Sequence, residues 1–175
     1  GDEALVEADP ESRVDLASPI FSDRTDELVG TVYIDDRPRV RWRNGEWERS
    51  YAELERRLPG LEIRIGSSTL DERRWIVVAA GDVEPGETYL FDRQTGELTL
   101  QYRIRERLPR EHLAPMTAIR YTSSDGLSIP AYLTLPKGVE PRALPLVVVP
   151  HGGPWARDAW RYDTLAQFFA NRGYA

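Results

Sequence analysis

One short segment of the chain has residue types and spacing that suit catalysis. An apolar run at residues 146–149 is followed by Pro150 and then by His151-Gly152-Gly153-Pro154. A buried strand that ends in a glycine-rich turn can present backbone N–H groups to a developing negative charge, which is the chemistry of an oxyanion hole. The segment therefore predicts one part of an acyl-transfer site, positioned by a sheet and a helix.

The residues around this segment predict the elements that would position it. Ser123-Ser124-Asp125-Gly126 is a strong hairpin turn between two predicted strands, at residues 116–121 and 127–135. After the glycines, apolar residues recur at helical spacing and a basic turn ends in a glycine stop, which predicts a helix that packs on a sheet. These apolar residues are Leu165, Phe168 and Phe169.

The first part of the sequence predicts antiparallel strands in the pattern of a β-propeller blade. Turn residues separate four predicted strands, at 61–65, 75–80, 88–92 and 97–103. One sheet of this size matches the period of a blade, which is about 40 to 50 residues. Further strands at 29–34 and 39–42 resemble the tail of a neighbouring blade, and Ser50 with Glu53 forms a capping-box pattern for a helix that ends at Leu58.

The pattern of strands lapses into charge and proline at residues 105–115, which is typical of a domain crossing. We therefore predict a domain boundary at His112. Residues 1–112 are expected to form the C-terminal part of a β-propeller domain. Residues 113–175 are expected to form the N-terminal part of an α/β-hydrolase domain.

These motifs together resemble a known family. A propeller-like sheet, then Asp125-Gly126-Leu127-Ser128-Ile129-Pro130-Ala131-Tyr132-Leu133-Thr134-Leu135-Pro136, then His151-Gly152-Gly153-Pro154, is similar to the prolyl oligopeptidase family of serine peptidases, in its acylaminoacyl-peptidase branch. The resemblance implies hydrolysis of short peptides or acyl-peptides by a Ser-Asp-His triad. It also implies that the chain is a fragment that lacks this triad and is inactive alone.

The resemblance assigns the oxyanion donor to the backbone N–H of Gly153, where a Cβ would obstruct the approaching substrate carbonyl. His151, Gly152 and Pro154 are expected to support this loop. His151 is not expected to be the general base, because the triad histidine of such hydrolases follows the nucleophile in the chain. Trp155 is expected either to line the substrate pocket or to pack against the propeller.

Ser128 and His112 are weaker candidates for chemistry. The stretch Gly126-Leu127-Ser128-Ile129-Pro130 imitates a nucleophile motif only in part, since it lies on a predicted hairpin strand and its proline is incompatible with the required elbow. His112 is expected at the surface of the linker. Two isolated histidines do not predict a metal site, and we expect no metal and no cofactor.

Composition excludes several classes of function. The net charge is −6 with the two signs interspersed, which argues against nucleic acid or an anionic membrane as the main partner. No apolar run approaches the roughly 20 residues of a membrane-spanning helix. We expect a soluble protein in the cytoplasm. Its expected partners are a peptide substrate and the remainder of its own two domains, and the sequence leaves open whether it forms a homo-oligomer. Cysteine is absent, which excludes thiolate catalysis and disulfides.

Two further functions are compatible with the same sequence. The chain could be a non-catalytic β-rich interaction module in which the His-Gly-Gly-Pro turn is only a tight loop. It could also belong to an esterase of the α/β-hydrolase type, which the propeller-like first half disfavours. A phosphate-binding role for the glycine turn is weakly supported, because no Gly-x-Gly-x-x-Gly or Gly-Lys-Ser/Thr pattern accompanies it.

Overall fold

The computed structural model describes residues 7–175. Within these residues the regular structure is mostly β, with nine strands, two α-helices and a short 3-10 turn at Arg110–His112. The elements run in the order β1 (Leu16–Phe21), β2 (Leu28–Ile34), β3 (Pro38–Trp42), α1 (Gly45–Arg57), β4 (Glu62–Ser68), β5 (Arg74–Ala80), β6 (Glu87–Asp92), β7 (Leu98–Arg103), β8 (Met116–Thr122), β9 (Ser128–Thr134) and α2 (Thr164–Ala170).

The strands form three sheets in simple sequential order. The sheets are β1-β2-β3, β4-β5-β6-β7 and the hairpin β8-β9. The predicted blade-like sheet is confirmed as four consecutive paired strands, and the predicted hairpin is confirmed with Met116 opposite Thr134 at its base. Strand β1 was not predicted, because its residues are mostly exposed and do not alternate between apolar and polar.

Helix α1 begins earlier than the sequence predicted. Asn44 is the N-cap, and its side-chain oxygen accepts hydrogen bonds from the N–H groups of Glu46 and Trp47. The prediction that Ser50 caps this helix is wrong. The Ser50 hydroxyl lies inside the helix and donates to the carbonyl of Glu46, one turn back, at 2.9 Å.

Aromatic side chains dominate the largest buried cluster. Trp75 is completely buried and its ring centroid lies 4.7 Å from that of Trp47 and 6.1 Å from that of Phe91. The guanidinium of Arg93 covers the Trp75 ring at 4.5 Å from its centroid, a cation–π contact. The members of this cluster are Val29, Trp47, Leu54, Trp75, Val77 and Phe91.

The carboxylate of Glu7, which precedes β1, binds two side chains of β2 and one that follows β3. Glu7 accepts hydrogen bonds from the hydroxyls of Thr31 and Tyr33 and pairs with Arg43 at 2.5 Å. The hydrogen bonds from Thr31 and Tyr33 lower the pKa of Glu7 from its usual 4.5 to about 2, although burial opposes this shift. Glu7 is therefore charged whenever the chain is folded near neutral pH.

The chain divides into two compact units. The first contains Gly1–Val78, described from residue 7 onward, together with Tyr89–Leu100. The second contains Ala79–Thr88 and Gln101–Ala175. Within residues 7–175, no helix has both the length and the apolar character needed to cross a membrane.

Candidate active site

The apolar run that leads to the glycine turn is not a regular strand. Leu146, Val148 and Val149 are all more than half exposed, so the prediction of a buried strand at residues 146–149 is wrong for this chain. One residue of the run is nevertheless paired. Ala175 donates from its N–H to the Pro145 carbonyl at 2.9 Å, and its own carbonyl accepts from the N–H of Val147 at 2.8 Å. This alternation of donor and acceptor around one residue is the pattern of a parallel ladder.

Gly153 adopts a backbone conformation that only glycine tolerates well. Its φ is +152°, and a Cβ added there would lie 2.9 Å from the backbone nitrogen of Trp155. The neighbouring Gly152 has open space around it, with nothing within 4 Å of an added Cβ. Of the two glycines, only Gly153 is therefore required by the shape of the turn.

The N–H of Gly153 makes no hydrogen bond to any residue in the described part of the chain. The turn is closed instead by its neighbours. The Nδ1 atom of His151 donates to the carbonyl of Gly152 at 2.9 Å, and the N–H of Ala156 donates to the carbonyl of Pro154 at the same distance. The loop thus holds its shape through its own carbonyls and leaves the Gly153 donor unoccupied.

The loop residues after the turn lie in solvent. Trp155 is 98% exposed, so its side chain is almost entirely free of packing against residues 7–175. Its role in a substrate pocket therefore stays a prediction. His151, Gly152 and Pro154 are also exposed.

The far end of the loop is anchored by Trp160, which is only 5% exposed. Its indole Nε1–H donates to the carbonyl of Met116, the first residue of β8, at 2.8 Å. Tyr162 adds a second contact, because the Arg105 guanidinium donates to its hydroxyl at 3.2 Å and lies over its ring. Asp163 then caps helix α2 by accepting from the N–H of Ala166.

Gln167 is a partly buried polar residue of α2 whose structural role was not predicted from the sequence. Its side-chain oxygen accepts from the N–H of Ala114 at 2.9 Å, and its side-chain nitrogen donates to the carbonyl of the same residue at 2.7 Å. One amide side chain thus pairs with both backbone groups of Ala114, as a neighbouring strand would. The available signal was a glutamine among the apolar residues of α2.

Arg110 organises the segment that precedes β8. It pairs with the carboxylate of Glu84 through two nitrogens, each at 3.0 Å, and donates to the carbonyls of Ile104, Arg105 and Leu108. Burial raises the pKa of Glu84, but hydrogen bonds from Arg110 and from the Gly86 N–H lower it further, so the pKa lies below its usual value. The charged segment at residues 104–110 is therefore held by side-chain hydrogen bonds.

The weaker candidates are not brought together with the loop. Ser128 is exposed and lies opposite Thr122 at the end of the β8-β9 hairpin, which confirms it as a strand residue. His112 is exposed at the end of the 3-10 turn. Among residues 7–175, no group of three histidine or acidic side chains is placed to hold a metal ion.

Known proteins resemble this chain in sequence. A dipeptidyl aminopeptidase BIII of Pseudoxanthomonas mexicana is 36% identical over 124 residues, with 67% of this chain and 18% of the relative covered. Dipeptidyl peptidase family member 6 of Caenorhabditis elegans is 27% identical over 139 residues, with 67% of this chain and 19% of the relative covered. The chain thus spans about a fifth of the length of the curated relatives it matches. No family model matches the chain.

A solved structure shares the fold. The chain superposes with a TM-score of 0.64 on a prolyl endopeptidase from a structural and mechanistic study of two such enzymes, at 17% identity, with 93% of this chain and 24% of that chain covered. At this identity the likeness concerns the fold alone. Taken with the two peptidase relatives and the His-Gly-Gly-Pro motif, it leads to one conclusion: the chain belongs to the prolyl oligopeptidase family.

Proposed function

We propose that this chain is part of a serine peptidase that hydrolyses short peptides or acyl-peptides, and that Gly153 supplies one backbone donor of its oxyanion hole. In this proposal residues 1–112 belong to the propeller and residues 113–175 begin the hydrolase domain, with the boundary at His112. The remainder of both domains is the chain's partner in the whole protein. No cofactor or metal takes part.

The observation that carries the proposal is the unoccupied N–H of Gly153. A donor without an intramolecular acceptor is available to a substrate oxygen. The positive φ of this residue favours glycine over any residue that has a Cβ. The related peptidases supply the reaction class in which such a donor is useful, since acyl transfer places negative charge on a carbonyl oxygen.

The mechanism assigns this chain a single catalytic task. A serine that lies outside these residues attacks the scissile carbonyl, and a histidine outside them transfers the proton to the leaving amine. As the carbonyl carbon becomes tetrahedral, its oxygen becomes an anion that the Gly153 N–H binds. His151 and Pro154 support the loop, and Trp155 contacts the substrate.

The test compares two neighbouring glycines in the intact protein. Gly153→Ala should lower kcat by about 100- to 1,000-fold. Its Cβ would lie 2.9 Å from the Trp155 nitrogen at a positive φ, so the backbone must shift and move the N–H away from the oxyanion, and loss of one oxyanion donor costs about this much. Gly152→Ala should cost far less, since nothing lies within 4 Å of the Cβ that it adds. Steady-state kinetics on a dipeptidyl chromogenic amide, normalised by active-site titration, measures both effects.

The choice of substrate decides among the remaining alternatives. The relatives' names favour a dipeptidyl amide, and the resemblance to the acylaminoacyl branch favours an N-acyl-amino-acid amide. Turnover of a simple ester alone would point to an esterase. An intact protein that turns over none of the three, and does not react with a serine-directed phosphonate, would support the non-catalytic module and refute the proposal.

A further inference from the structure

We infer that Trp160 and Gln167 are positioning residues that hold the Gly153 donor in place by attaching its loop to residues 114–116. This inference rests on the proposed function and deepens it, because it names the contacts on which the oxyanion donor depends. Neither side chain has a role in the chemistry itself.

The loop that carries Gly153 is attached to the rest of the second unit on both sides of the glycines. Every residue from His151 to Ala159 is exposed. Trp160 is the first buried residue after Gly153, and its indole N–H is bound to the Met116 carbonyl at 2.8 Å. On the other side of the glycines the attachment is the backbone pair between Val147 and Ala175. The loop that carries Gly153 is therefore attached through the Trp160 side chain on one side and through the backbone pair of Val147 and Ala175 on the other.

The attachment point of the loop, residues 114–116, is itself held by side chains. Ala114, only 2% exposed, has both its backbone groups bound by the Gln167 amide. Met116 has its N–H bound by the Asp82 carboxylate at 2.7 Å and its carbonyl bound by Trp160. Four backbone groups of Ala114 and Met116 are thus bound by three side chains, from the β5-β6 turn, the loop end and helix α2.

The contacts of Trp160 and Gln167 both act on the 114–116 segment. Gln167 lies on the helix that follows the loop, so it links α2 to Ala114, while Trp160 links the end of the loop to Met116. Loss of either contact leaves a polar backbone group of the 114–116 segment without its partner, and this segment is the one to which Trp160 attaches the loop end. A displacement of about 1 Å at a reacting centre can cost about 100-fold in rate, even when the changed residue lies away from the chemistry.

The experiment uses Trp160→Phe, which keeps an aromatic ring and removes the donor, and Gln167→Met, which keeps the length and removes the amide. In the intact peptidase, each should lower kcat per titrated active site by about 10- to 100-fold, with KM changed by about twofold or less. Gln94→Met is the matched control, because Gln94 is exposed at the turn after β6. It should retain wild-type kcat.

A double-mutant cycle separates positioning from general damage. In the Gly153→Ala background the donor geometry is already lost, so Trp160→Phe and Gln167→Met should lower kcat by about twofold or less. Equal losses in both backgrounds would overturn the inference, because the side chains would then act independently of Gly153. Wild-type kcat in both single variants would overturn it as well.

The proposed function can fail separately. If Gly153→Ala alone keeps wild-type kcat, Gly153 is not the donor and both proposals fall. If Gly153→Ala is impaired and the two anchor variants are not, only the positioning role falls. Should Trp160→Phe not fold, as judged by circular dichroism and by the titrated fraction of active sites, Gln167→Met carries the test by itself.

Discussion

The aromatic cluster of the first unit and the glycine loop of the second use the same residue type in opposite ways. Trp75 has no exposed surface and touches Trp47, Phe91 and Arg93, whereas Trp155 is 98% exposed. The first tryptophan contributes to stability through burial. The second tryptophan lies in solvent, on a loop that is anchored by another residue, Trp160. Stability and the candidate chemistry therefore depend on separate residues, so each can be tested without the other.

The largest difference between the two regions should appear in stability. Trp75→Ala should lower the free energy of unfolding by about 3–5 kcal/mol, because it removes a buried ring and leaves a cavity. Trp155→Ala should change it by about 0.5 kcal/mol or less, since the side chain is exposed. Denaturant unfolding of the intact protein, followed by far-ultraviolet circular dichroism, measures both. Similar losses of stability in the two variants would contradict the conclusion that Trp75, and not Trp155, stabilises the fold.

A smaller difference in stability is expected between the loss of a buried carboxylate, that of Glu7, and the loss of an exposed one, that of Asp158. The pKa of Glu7 is about 2 in the folded chain against a usual 4.5, so its carboxylate stabilises the fold fully above about pH 4.5, and this contribution is lost as the pH falls towards 2. Glu7→Gln should therefore lower the unfolding midpoint at pH 7 and flatten its decline in acid. Asp158→Asn, at an exposed loop position, should leave the midpoint at pH 7 unchanged. A Glu7→Gln midpoint equal to that of the wild type at pH 7 would contradict this account.

The smallest effect concerns the ends of the helices. Asn44→Ala should cost about 1 kcal/mol of stability, because two N–H groups of α1 lose their acceptor. Asn171→Ala, at the exposed C-cap of α2, should cost a few tenths of this, since its backbone already has helical φ and ψ. Thermal unfolding of both variants gives the comparison, and equal shifts would remove the capping role assigned to Asn44.

Much of the fold could be predicted because its strands pair with their neighbours in the chain. The four strands of the β4-β7 sheet were predicted to within a few residues, since turn residues punctuate them and their partners are adjacent in sequence. Helix α1 was predicted with the wrong start, because a local Ser50-Glu53 pattern competes with Asn44, whose cap is visible only in the backbone geometry.

Less of the candidate site could be predicted. The motif drew attention to Gly153, and the structure adds that its N–H is unoccupied and its φ positive, which no spacing of residues encodes. Gln167 and Trp160 bind Ala114 and Met116 across a long stretch of sequence. Contacts between such distant residues leave no periodic signal, and for this reason the anchors of the loop were not found.

By itself, the sequence determined most of the strands, the hairpin, the glycine turn and the family to which they point, because these follow from local patterns of apolar residues and turn residues. Tertiary structure decided which side chains are buried, which donor is left without an acceptor and where the loop is attached. These properties depend on neighbours that only folding brings together. The same motif residues could be buried or exposed, and it is the packing around Trp160 and Gln167 that decides how Gly153 is presented.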